Sequence, residues 1–340
     1  MSPVAGPLRR LAAQIADLSE ALGRRVELDL PALTERTGDL DLAPPGLWSP
    51  NRACRLVRAA DGWIAVNLAR PDDLDLVPAW LGGAPEDAGW EAVVAAAAQR
   101  PWRALVDGAR ELGLPVAGVG EIVAADTAAP LVQAGTPAGS RSALRVVDLS
   151  TLWAGPLCGA VLASFGAQAT KVESLRRPDP SRVSTPDFFR RLNGGKADLA
   201  LDFGDDSDRA RLRDMILEAG LVITSARPRA FEQLGLSPER LFAERPDLIW
   251  VAVSGYGWTG AAADRVAFGD DAAAAGGLVR WTREGEPNFL GDALGDPLTG
   301  LAAAAGALRA IGHGGGVIVD AALARTSAGA AAELGLRRAA

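Results

Sequence analysis

The segment LRVVDLSTLWAGPLCGAVLASFGAQATKVES, residues 144–174, predicts a strand, a helix and a second strand in direct succession. Residues 144–150 form an apolar strand pattern, residues 155–167 place small side chains on one side of a helix, and residues 168–174 return to a strand pattern. Further strand patterns follow at 197–203, 221–226 and 248–254, separated by helical patterns at 206–219 and 228–245. Strands and helices that alternate at this spacing are typical of βαβ units, so we predict an α/β fold with a doubly wound, mainly parallel sheet.

The chain ahead of this segment has a different pattern. Residues 8–23 have a helical spacing of Leu, Ile and Ala, and residues 54–73 predict two strands joined by an Asp-Gly turn. Residues 127–143 are rich in Ala, Pro, Gly, Ser and Thr, a composition typical of linkers. We therefore expect a smaller α+β region at 1–126, a linker at 127–143 and the α/β domain at 144–340.

The composition indicates a soluble globular protein. Of the 340 residues, 49% are hydrophobic and 23% are charged, and the net charge of −7 gives no reason to expect a nucleic acid or an anionic membrane as partner. Residues 1–22 predict a short amphipathic helix without the apolar core of a signal peptide, and no segment has the run of about 18 uncharged apolar residues that a membrane span needs. We expect a cytoplasmic protein without disulfides, since Cys54 and Cys158 lie far apart.

Histidine and metal chemistry have little support in the sequence. His313 is the one histidine and lies in a predicted turn, so a Ser-His-Asp or Cys-His arrangement would depend on it alone. Without a second histidine or a cysteine pair at ligand spacing, we expect no metal site. Carboxylates remain the main candidates for acid–base or nucleophilic work.

A glycine motif follows the predicted strand at 248–254. Gly255, Gly257 and Gly260 match the G-x-G-x-x-G spacing of dinucleotide-binding turns. That motif requires a helix to open at its last glycine, whereas the sequence AAADRVAFGDD that follows has no clean apolar stripe. We therefore expect these glycines to line a ligand site, and a nicotinamide site is disfavoured.

Four aspartates stand near predicted helix starts: Asp270, Asp271, Asp292 and Asp296. The adjacent Asp270 and Asp271 most simply cap the helix that follows them. Asp296 precedes a proline, which is a favoured helix start, and its carboxylate would gain from the helix dipole. A carboxylate held in this way stays ionised at neutral pH and can act as a nucleophile, so capping and catalysis both stay open for Asp296.

Five segments occur in an order that is recognisable as a family pattern. They are RVVDLSTLWAGPLCGAVLASFGAQATKVES, FFRRLNGGKADLALDF, SARPRAFEQLGLSPERL, PDLIWVAVSGYGWTG and GDALGDPLTGLAAAAGALRAI. Together they resemble the family III (CaiB/BaiF-type) CoA transferases, whose superfamily also contains the α-methylacyl-CoA racemases. The resemblance runs through most of 144–326 and implies a Rossmann-like CoA-binding domain.

The resemblance assigns the role of nucleophile to Asp296. In that family the catalytic residue is the aspartate of a G-D-x-x-x-G segment that opens a helix, and the segment corresponds to Gly295, Asp296 and Gly300. The family mechanism implies that Asp296 attacks an acyl-CoA thioester to give an acyl-aspartyl anhydride and CoA thiolate. The thiolate then forms an aspartyl-CoA thioester, from which a carboxylate acceptor takes over the CoA.

The resemblance also implies a set of CoA contacts. The matching positions are Trp153, Ala154, Gly155, Pro156, Lys171, Glu173, Asn193, Lys196 and Arg227. Lys171 and Lys196 are the only lysines of the chain, and paired cations suit a diphosphate and a 3′-phosphate, whereas two surface lysines are the alternative. Gly295 and the glycines of the 255–260 motif are expected near the site.

Two departures from the family pattern bear on the reaction. Racemases carry a histidine where this chain has Phe268, and many transferases carry an acidic residue where it has Gly269. Asp270 or Asp271 could act as an auxiliary acid if the loop shifts by a residue. The family pattern begins only near residue 146, and the smaller region at 1–126 ahead of it resembles, more weakly, later parts of typical members, as in a permuted or rearranged chain. The glycine-rich loop that usually covers the aspartyl intermediate is not identified.

We therefore expect a CoA transferase that uses an acyl-CoA and a carboxylate acceptor as substrates, with no tightly bound cofactor. The resemblance implies a homodimer, whose interlacing depends on the altered segment order. A protein that binds CoA thioesters without transfer and an acyl-CoA racemase or isomerase are the alternatives.

Overall fold

A computed structural model describes residues 3–83, 89–124, 128–138 and 144–336 of the chain. Its helices are α1 (Ala5–Ala21), α2 (Leu30–Thr34), α3 (Val77–Leu81), α4 (Trp90–Ala97), α5 (Trp102–Glu111), α6 (Ala154–Phe165), α7 (Ser181–Ser184), α8 (Pro186–Asn193), α9 (Asp206–Ala219), α10 (Pro228–Gln233), α11 (Pro238–Glu244), α12 (Gly269–Ala275), α13 (Gly295–His313) and α14 (Leu323–Glu333). Its strands are β1 (Cys54–Ala59), β2 (Gly62–Asn67), β3 (Val116–Gly118), β4 (Leu131–Gln133), β5 (Arg145–Asp148), β6 (Gln168–Ser174), β7 (Ala197–Leu201), β8 (Gly220–Thr224), β9 (Ile249–Ser254), β10 (Val279–Trp281), β11 (Pro287–Phe289) and β12 (Val317–Ala322). A 3-10 helix spans Pro71–Leu76.

Seven strands form the main sheet in the order β4-β12-β9-β8-β5-β6-β7. All neighbouring pairs are parallel except β4 with β12. The parallel part starts at β5, adds β6 and β7 on one side, and then adds β8, β9 and β12 on the other. This confirms the predicted α/β fold with a doubly wound, mainly parallel sheet.

The central strands are apolar because helices cover both faces of the sheet. Every residue of β8 is buried, and only the last residue of β9 is partly exposed. One face packs against α1, α6 and α13 through side chains such as Leu157 and Leu301. The other face packs against α9, α10 and α11 through side chains such as Ile216 and Phe231. No helix in the described part of the chain is long and apolar enough to cross a membrane.

Small residues let α13 lie close against α6. Residues 302–305 of α13 are all alanine, and all four are buried. A Cβ on Gly300 would lie 2.7 Å from the carbonyl oxygen of Ala154, so only glycine fits at that crossing point. The contact brings the amino ends of the two helices together.

The chain ahead of β5 builds a second, three-stranded antiparallel sheet in the order β1-β2-β3. Its register pairs Ala59 with Gly62, which confirms the predicted hairpin, but the turn consists of Ala60 and Asp61, and Gly62 already belongs to β2. One face of this sheet packs against α3, α4 and α5, and the other against α12, β10 and β11. The domain boundaries stay a prediction: α1 packs against α13 in the main core, and residues 131–133 of the predicted linker form β4.

Candidate active site

A cleft of about 330 Å³ opens at the carboxyl ends of β5, β8 and β9. The chain leaves β5 toward β6 and later returns to β8 on the other side of β5, so the loops that follow these strands diverge and leave a crevice. Gly155 lines the cleft from the β5 side, Ala226 from the β8 side and Gly255 from the β9 side, with Asp296 at the start of α13. The cleft lies where doubly wound sheets commonly hold ligands.

Arginine side chains give the cleft a positive charge. Arg70, Arg177, Arg227 and Arg265 line it, and Asp296 is the one acidic residue among the described residues that do so. Arg70 and Arg265 form salt bridges with acidic neighbours, whereas Arg177 and Arg227 form none within the described ranges. Cations without acidic partners at this edge of the sheet favour a ligand with several negative charges.

Asp296 lies in the first turn of α13, and its carboxylate contacts the amino end of a second helix. The backbone N–H of Ala154, the first residue of α6, lies beside this carboxylate and acts to lower its pKa. The backbone N–H of Asp296 donates to the carbonyl oxygen of Ala293 at 2.9 Å. Gly269 leaves room for the carboxylate, since a Cβ at that position would overlap Oδ2 of Asp296. Asp296 is partly exposed, and the side that is open faces the cleft.

The interpretation of Asp296 as a helix cap is wrong. The residue before α13 is Leu294, and no side chain caps this helix end. Asp296 is the second residue of the helix, and Pro297 is the third. The close contact between the two helices instead places the Ala154 amide of α6 beside this carboxylate.

The expectation that Asp296 stays ionised at neutral pH is also wrong. Desolvation, opposed by Arg36 and reinforced by Asp270 and Asp292, raises the pKa of Asp296 to about 7. Burial penalises the charged form of a carboxylate, and two neighbouring carboxylates add to this penalty. Asp296 therefore titrates in the neutral range.

The two predicted auxiliary acids lie behind Asp296 and do not line the cleft. Asp270 is buried, its Oδ1 accepts a hydrogen bond from the N–H of Ala293 at 2.7 Å, and desolvation raises its pKa to about 6. Asp271 is buried and is the third residue of α12, from where it accepts the N–H of Phe268, the residue before the helix, so neither aspartate stands ahead of α12 as the expected cap would. Desolvation raises the pKa of Asp271 well above its usual range.

Sequence reasoning missed two members of this cluster, Arg36 and Asn51. Arg36 donates from Nε and Nη2 to the carboxylate of Asp292, each at 2.9 Å. Asn51 donates from Nδ2 to both Asp270 and Asp292, each at 2.8 Å. No local pattern marks either residue, because each meets its partners at least 219 positions away along the chain.

The predicted CoA-binding residues and site glycines divide into two groups. Ala154, Gly155, Arg227 and Gly255 line the cleft together with Asp296. The others lie outside its lining: Trp153, Pro156, Lys171, Glu173, Asn193, Lys196, Gly257, Gly260 and Gly295. The first group comes from the turns after β5, β8 and β9, where the fold itself opens the crevice.

Both lysines are buried in ion pairs and do not face the cleft. Nζ of Lys196 donates to Asp148 at 2.7 Å and to the carbonyl oxygen of Pro156 at 2.9 Å. Nζ of Lys171 donates to Asp179 at 3.0 Å, and the side chain of Lys171 is only 1% exposed. This placement contradicts the prediction that the two lysines face ligand phosphates, because their charges are neutralised inside the protein. The contacts of the two lysines hold α6 and the turn before it against the sheet.

Neither the histidine nor the glycine motif provides a second site. His313 is the last residue of α13, at the opposite end of that helix from Asp296. After Gly260 the chain forms a loop, and the next helix begins only at Gly269, so the turn of a dinucleotide site is not formed. Within the described ranges, no group of three or more His, Cys, Asp or Glu side chains is arranged to hold a metal ion.

Comparison with known proteins connects this site to a family. Residues 142–335 match the model of CoA-transferase family III. Succinyl-CoA–D-citramalate CoA-transferase of Chloroflexus aurantiacus is 33% identical over 190 residues, which cover 52% of this chain and 47% of that protein. Succinyl-CoA:mesaconate CoA-transferase of Haloarcula hispanica is 34% identical over 205 residues, which cover 54% and 52%.

A solved structure agrees with these relatives. The crystal structure of a CaiB/BaiF family protein from Brucella suis superposes with a TM-score of 0.51 at 30% identity, over 56% of this chain and 55% of that one. The chain spans about half the length of the curated relatives it matches.

Replacing Gly269 by alanine should destabilise the fold by about 1–3 kcal/mol, because the new methyl group overlaps Oδ2 of Asp296 and crowds the carbonyl oxygen of Ala293. Unfolding in urea measures this loss. Gly329→Ala is the matched control, since a Cβ there meets nothing within 4 Å and alanine favours the helix. Equal stability of the two variants would contradict the tight contact at Gly269.

Replacing Lys196 by methionine should cost about 3–5 kcal/mol of stability, because Asp148 is left as a buried carboxylate without its cation. Arg213→Met is the control: it removes a salt bridge to Glu244 whose side chains are 39% and 43% exposed, and it should cost less than about 1 kcal/mol. Chemical denaturation of both variants gives the difference. A Lys196→Met protein as stable as the control would show that this lysine does not hold the fold.

Proposed function

The chain belongs to CoA-transferase family III, and on that premise we propose that it transfers CoA from an acyl-CoA thioester to a carboxylic acid acceptor. One observation carries the proposal: Asp296 presents a carboxylate in an arginine-lined cleft, beside the first amide of α6. A nucleophile and a surface for a polyanionic thioester thereby share one crevice. The transferase names of the relatives support the same reaction.

CoA would bind in this cleft as a substrate, not as a tightly held cofactor. Its diphosphate and 3′-phosphate carry charges that Arg177 and Arg227 can neutralise. The amino end of α6 offers backbone N–H groups to an anion, and Gly155 has no side chain to obstruct the approach. The pantetheine arm would then lead the thioester toward Asp296.

The reaction begins with Asp296 ionised. One carboxylate oxygen attacks the thioester carbonyl carbon, the carbon–sulfur bond breaks, and CoA leaves as the thiolate, with an acyl-aspartyl anhydride on the protein. The thiolate then attacks the aspartyl carbonyl carbon, which releases the donor acid as a carboxylate and leaves an aspartyl-CoA thioester. The acceptor carboxylate runs the same two steps in reverse and regenerates Asp296.

The setting of Asp296 suits both of its roles in this sequence. Each attack places negative charge on a carbonyl oxygen, which an N–H donor stabilises, and the Ala154 amide lies beside this carboxylate. Desolvation raises the pKa of Asp296 to about 7, so its ionised form is a stronger base than an ordinary aspartate. A more basic, less solvated carboxylate is the better nucleophile toward a thioester.

Small dicarboxylic acids and their CoA thioesters are the first substrates to test. Two relatives are named for succinyl-CoA as donor, with citramalate in one case and mesaconate in the other. The arginines that line the cleft suit ligands with a carboxylate beyond the thioester. Acetyl-CoA and propionyl-CoA are the matched substrates without that carboxylate.

The family resemblance further implies a homodimer in the cytoplasm, with a smaller region at 1–126, a linker at 127–143 and the catalytic domain at 144–340. Light scattering after size exclusion tests the dimer. Limited proteolysis tests the linker, since cleavage confined to 127–143 would separate the two regions.

A racemase or isomerase is the second candidate because Asp296 and Asp270 both titrate close to neutrality, with pKa values of about 7 and 6. Groups of that kind can move a proton at the carbon next to a thioester. Phe268 in the position of the racemase histidine argues against a two-base reaction. Deuterium incorporation into a branched acyl-CoA in heavy water, without CoA transfer, would favour this candidate. CoA binding without turnover, unchanged in Asp296→Ala, would instead indicate a binding protein.

Incubation with a panel of acyl-CoAs followed by hydroxylamine should leave a hydroxamate on Asp296, since the anhydride and the aspartyl thioester both react with this nucleophile. Mass spectrometry locates the adduct in the tryptic peptide 284–309, where Asp292 is an internal control. Asp296→Asn should abolish the adduct. No adduct from any acyl-CoA, in a protein that binds CoA by calorimetry, would refute covalent transfer.

The value of kcat/KM for the acyl-CoA should rise with pH through an apparent pKa of about 7, because only the ionised form of Asp296 attacks. Protonation removes the nucleophile, so the rate should fall on the acid side of this value. Initial rates measured from acid to mildly alkaline pH give this rise in kcat/KM. A rise of kcat/KM centred at about pH 4, where an ordinary aspartate titrates, would contradict the desolvated setting of Asp296.

A further inference from the structure

We propose that Arg36 and Asn51 are positioning residues of the transfer reaction: through Asp292 and Asp270 they hold the loop 291–294 that leads into α13 and so places Asp296. Both residues lie ahead of the span that matches the family model, residues 142–335. The proposal rests on the transferase function proposed above. It gives the amino-terminal part of the chain a direct part in the site.

Arg36 holds Asp292 through a two-point contact. Its Nε and Nη2 each lie 2.9 Å from a different oxygen of the carboxylate. The two side chains are 18% and 9% exposed, so salt screens this pair only weakly. A bidentate pair fixes orientation as well as distance. The start of the loop before α13 is thereby held from outside that helix.

Asn51 joins Asp292 to Asp270 in a fixed orientation. Its Oδ1 accepts a hydrogen bond from the backbone N–H of Ala53 at 2.9 Å and lies 2.8 Å from the hydroxyl of Ser49. Since a backbone N–H can only donate, Oδ1 must lie on that side and Nδ2 on the side of the two carboxylates. The amide therefore supplies one N–H to each carboxylate.

Asp270 completes the connection to Asp296 through Ala293. Asp270 accepts the N–H of Ala293 at 2.7 Å, and the carbonyl oxygen of Ala293 accepts the N–H of Asp296 at 2.9 Å. Ala293 has a φ of 45°, in the left-handed region that alanine rarely adopts. A backbone in that conformation persists only where its surroundings hold it, and Asp270, itself held by Asn51, does so here.

Arg36 also contacts the second wall of the site. Its guanidinium lies 4.7 Å from the centre of the Trp153 ring. Trp153 directly precedes Ala154, whose N–H lies beside the Asp296 carboxylate. One side chain thus touches both the loop before α13 and the turn before α6, the two elements that must stay together for Asp296 to keep its place.

The same residues place opposite charges around Asp296. Arg36 is the cation behind the carboxylate, Asp270 and Asp292 are the anions beside it, and the cleft arginines lie in front. Loss of Arg36 would leave the two anions unopposed and raise the pKa of Asp296. Loss of the charge on Asp292 would leave Arg36 unopposed and lower the pKa of Asp296. A merely structural role would not give shifts of opposite sign.

The test compares pH profiles of kcat/KM in the full-length protein. Arg36→Gln should move the rise of kcat/KM to higher pH by about one unit, and Asp292→Asn should move it to lower pH by about as much. Asn51→Ser should lower kcat with little change in KM for the acyl-CoA, because the cleft arginines are untouched. Arg36→Lys keeps the charge without the two-point contact, so it should keep the wild-type pH dependence of kcat/KM but not the full kcat. Arg213→Gln, at an exposed salt bridge, is the control and should match the wild type.

A second readout keeps this test separate from the transferase function. Carbon-13 NMR of aspartate-labelled protein, assigned with Asp296→Asn, gives the pKa of Asp296 without turnover. If the wild type transfers CoA but Arg36→Gln and Asp292→Asn both keep its pH dependence of kcat/KM and its NMR pKa of Asp296, the positioning role is overturned and the transferase function stands. If no acyl-CoA is turned over, the transferase function fails and NMR alone decides: opposite shifts support the positioning role, and equal or absent shifts overturn it. If Arg36→Gln does not fold, Arg36→Lys and Asp292→Asn carry the comparison.

Discussion

The site depends on the close approach of α6 and α13, which places the Ala154 amide, at the amino end of α6, beside the Asp296 carboxylate in the first turn of α13. Small residues make this approach possible. A Cβ on Gly300 would lie 2.7 Å from the carbonyl oxygen of Ala154, and a Cβ on Gly269 would overlap the carboxylate. The alanine and glycine content of α13 and the glycine at the start of α12 are therefore part of the site, and they let one helix present a side chain to the amino end of another.

A balance of charge adds to this steric constraint. In the cluster around Asp296, one arginine faces three carboxylates, those of Asp270, Asp292 and Asp296 itself, in a largely desolvated setting, so a proton is retained close to neutral pH. In front of it, the cleft carries arginines of which Arg177 and Arg227 lack acidic partners in the described part of the chain. The first arrangement makes the carboxylate basic, and the second attracts the anionic substrate to it. The transfer reaction needs both the basic carboxylate and the positively charged cleft that binds its substrate.

The sequence predicted what is encoded locally and failed where contacts cross the fold. The alternation of strands and helices from residue 144 onward is a local pattern, so it predicted the doubly wound sheet. The start of α13 was also predicted, but the partner of Asp296 was not, because the Ala154 amide reaches it only through helix packing. Lysine is rare in this chain, which suggested a ligand role for Lys171 and Lys196. The frequency of a residue type does not indicate whether its side chains are buried, and both of these are. Arg36 and Asn51 gave no signal, since their partners lie at least 219 positions away.

Transfer of oxygen-18 from a labelled acceptor to the protein tests most directly whether Asp296 carries the CoA. During turnover the acceptor carboxylate attacks the aspartyl-CoA thioester, and one of its oxygens becomes the bridging oxygen of the anhydride. Attack of the CoA thiolate on the acyl carbon of the acceptor then leaves that oxygen on Asp296. The account predicts oxygen-18 in peptide 284–309, located on Asp296 and absent from Asp292. Turnover that leaves Asp296 unlabelled would contradict it, because CoA would then have moved without a covalent bond to this residue.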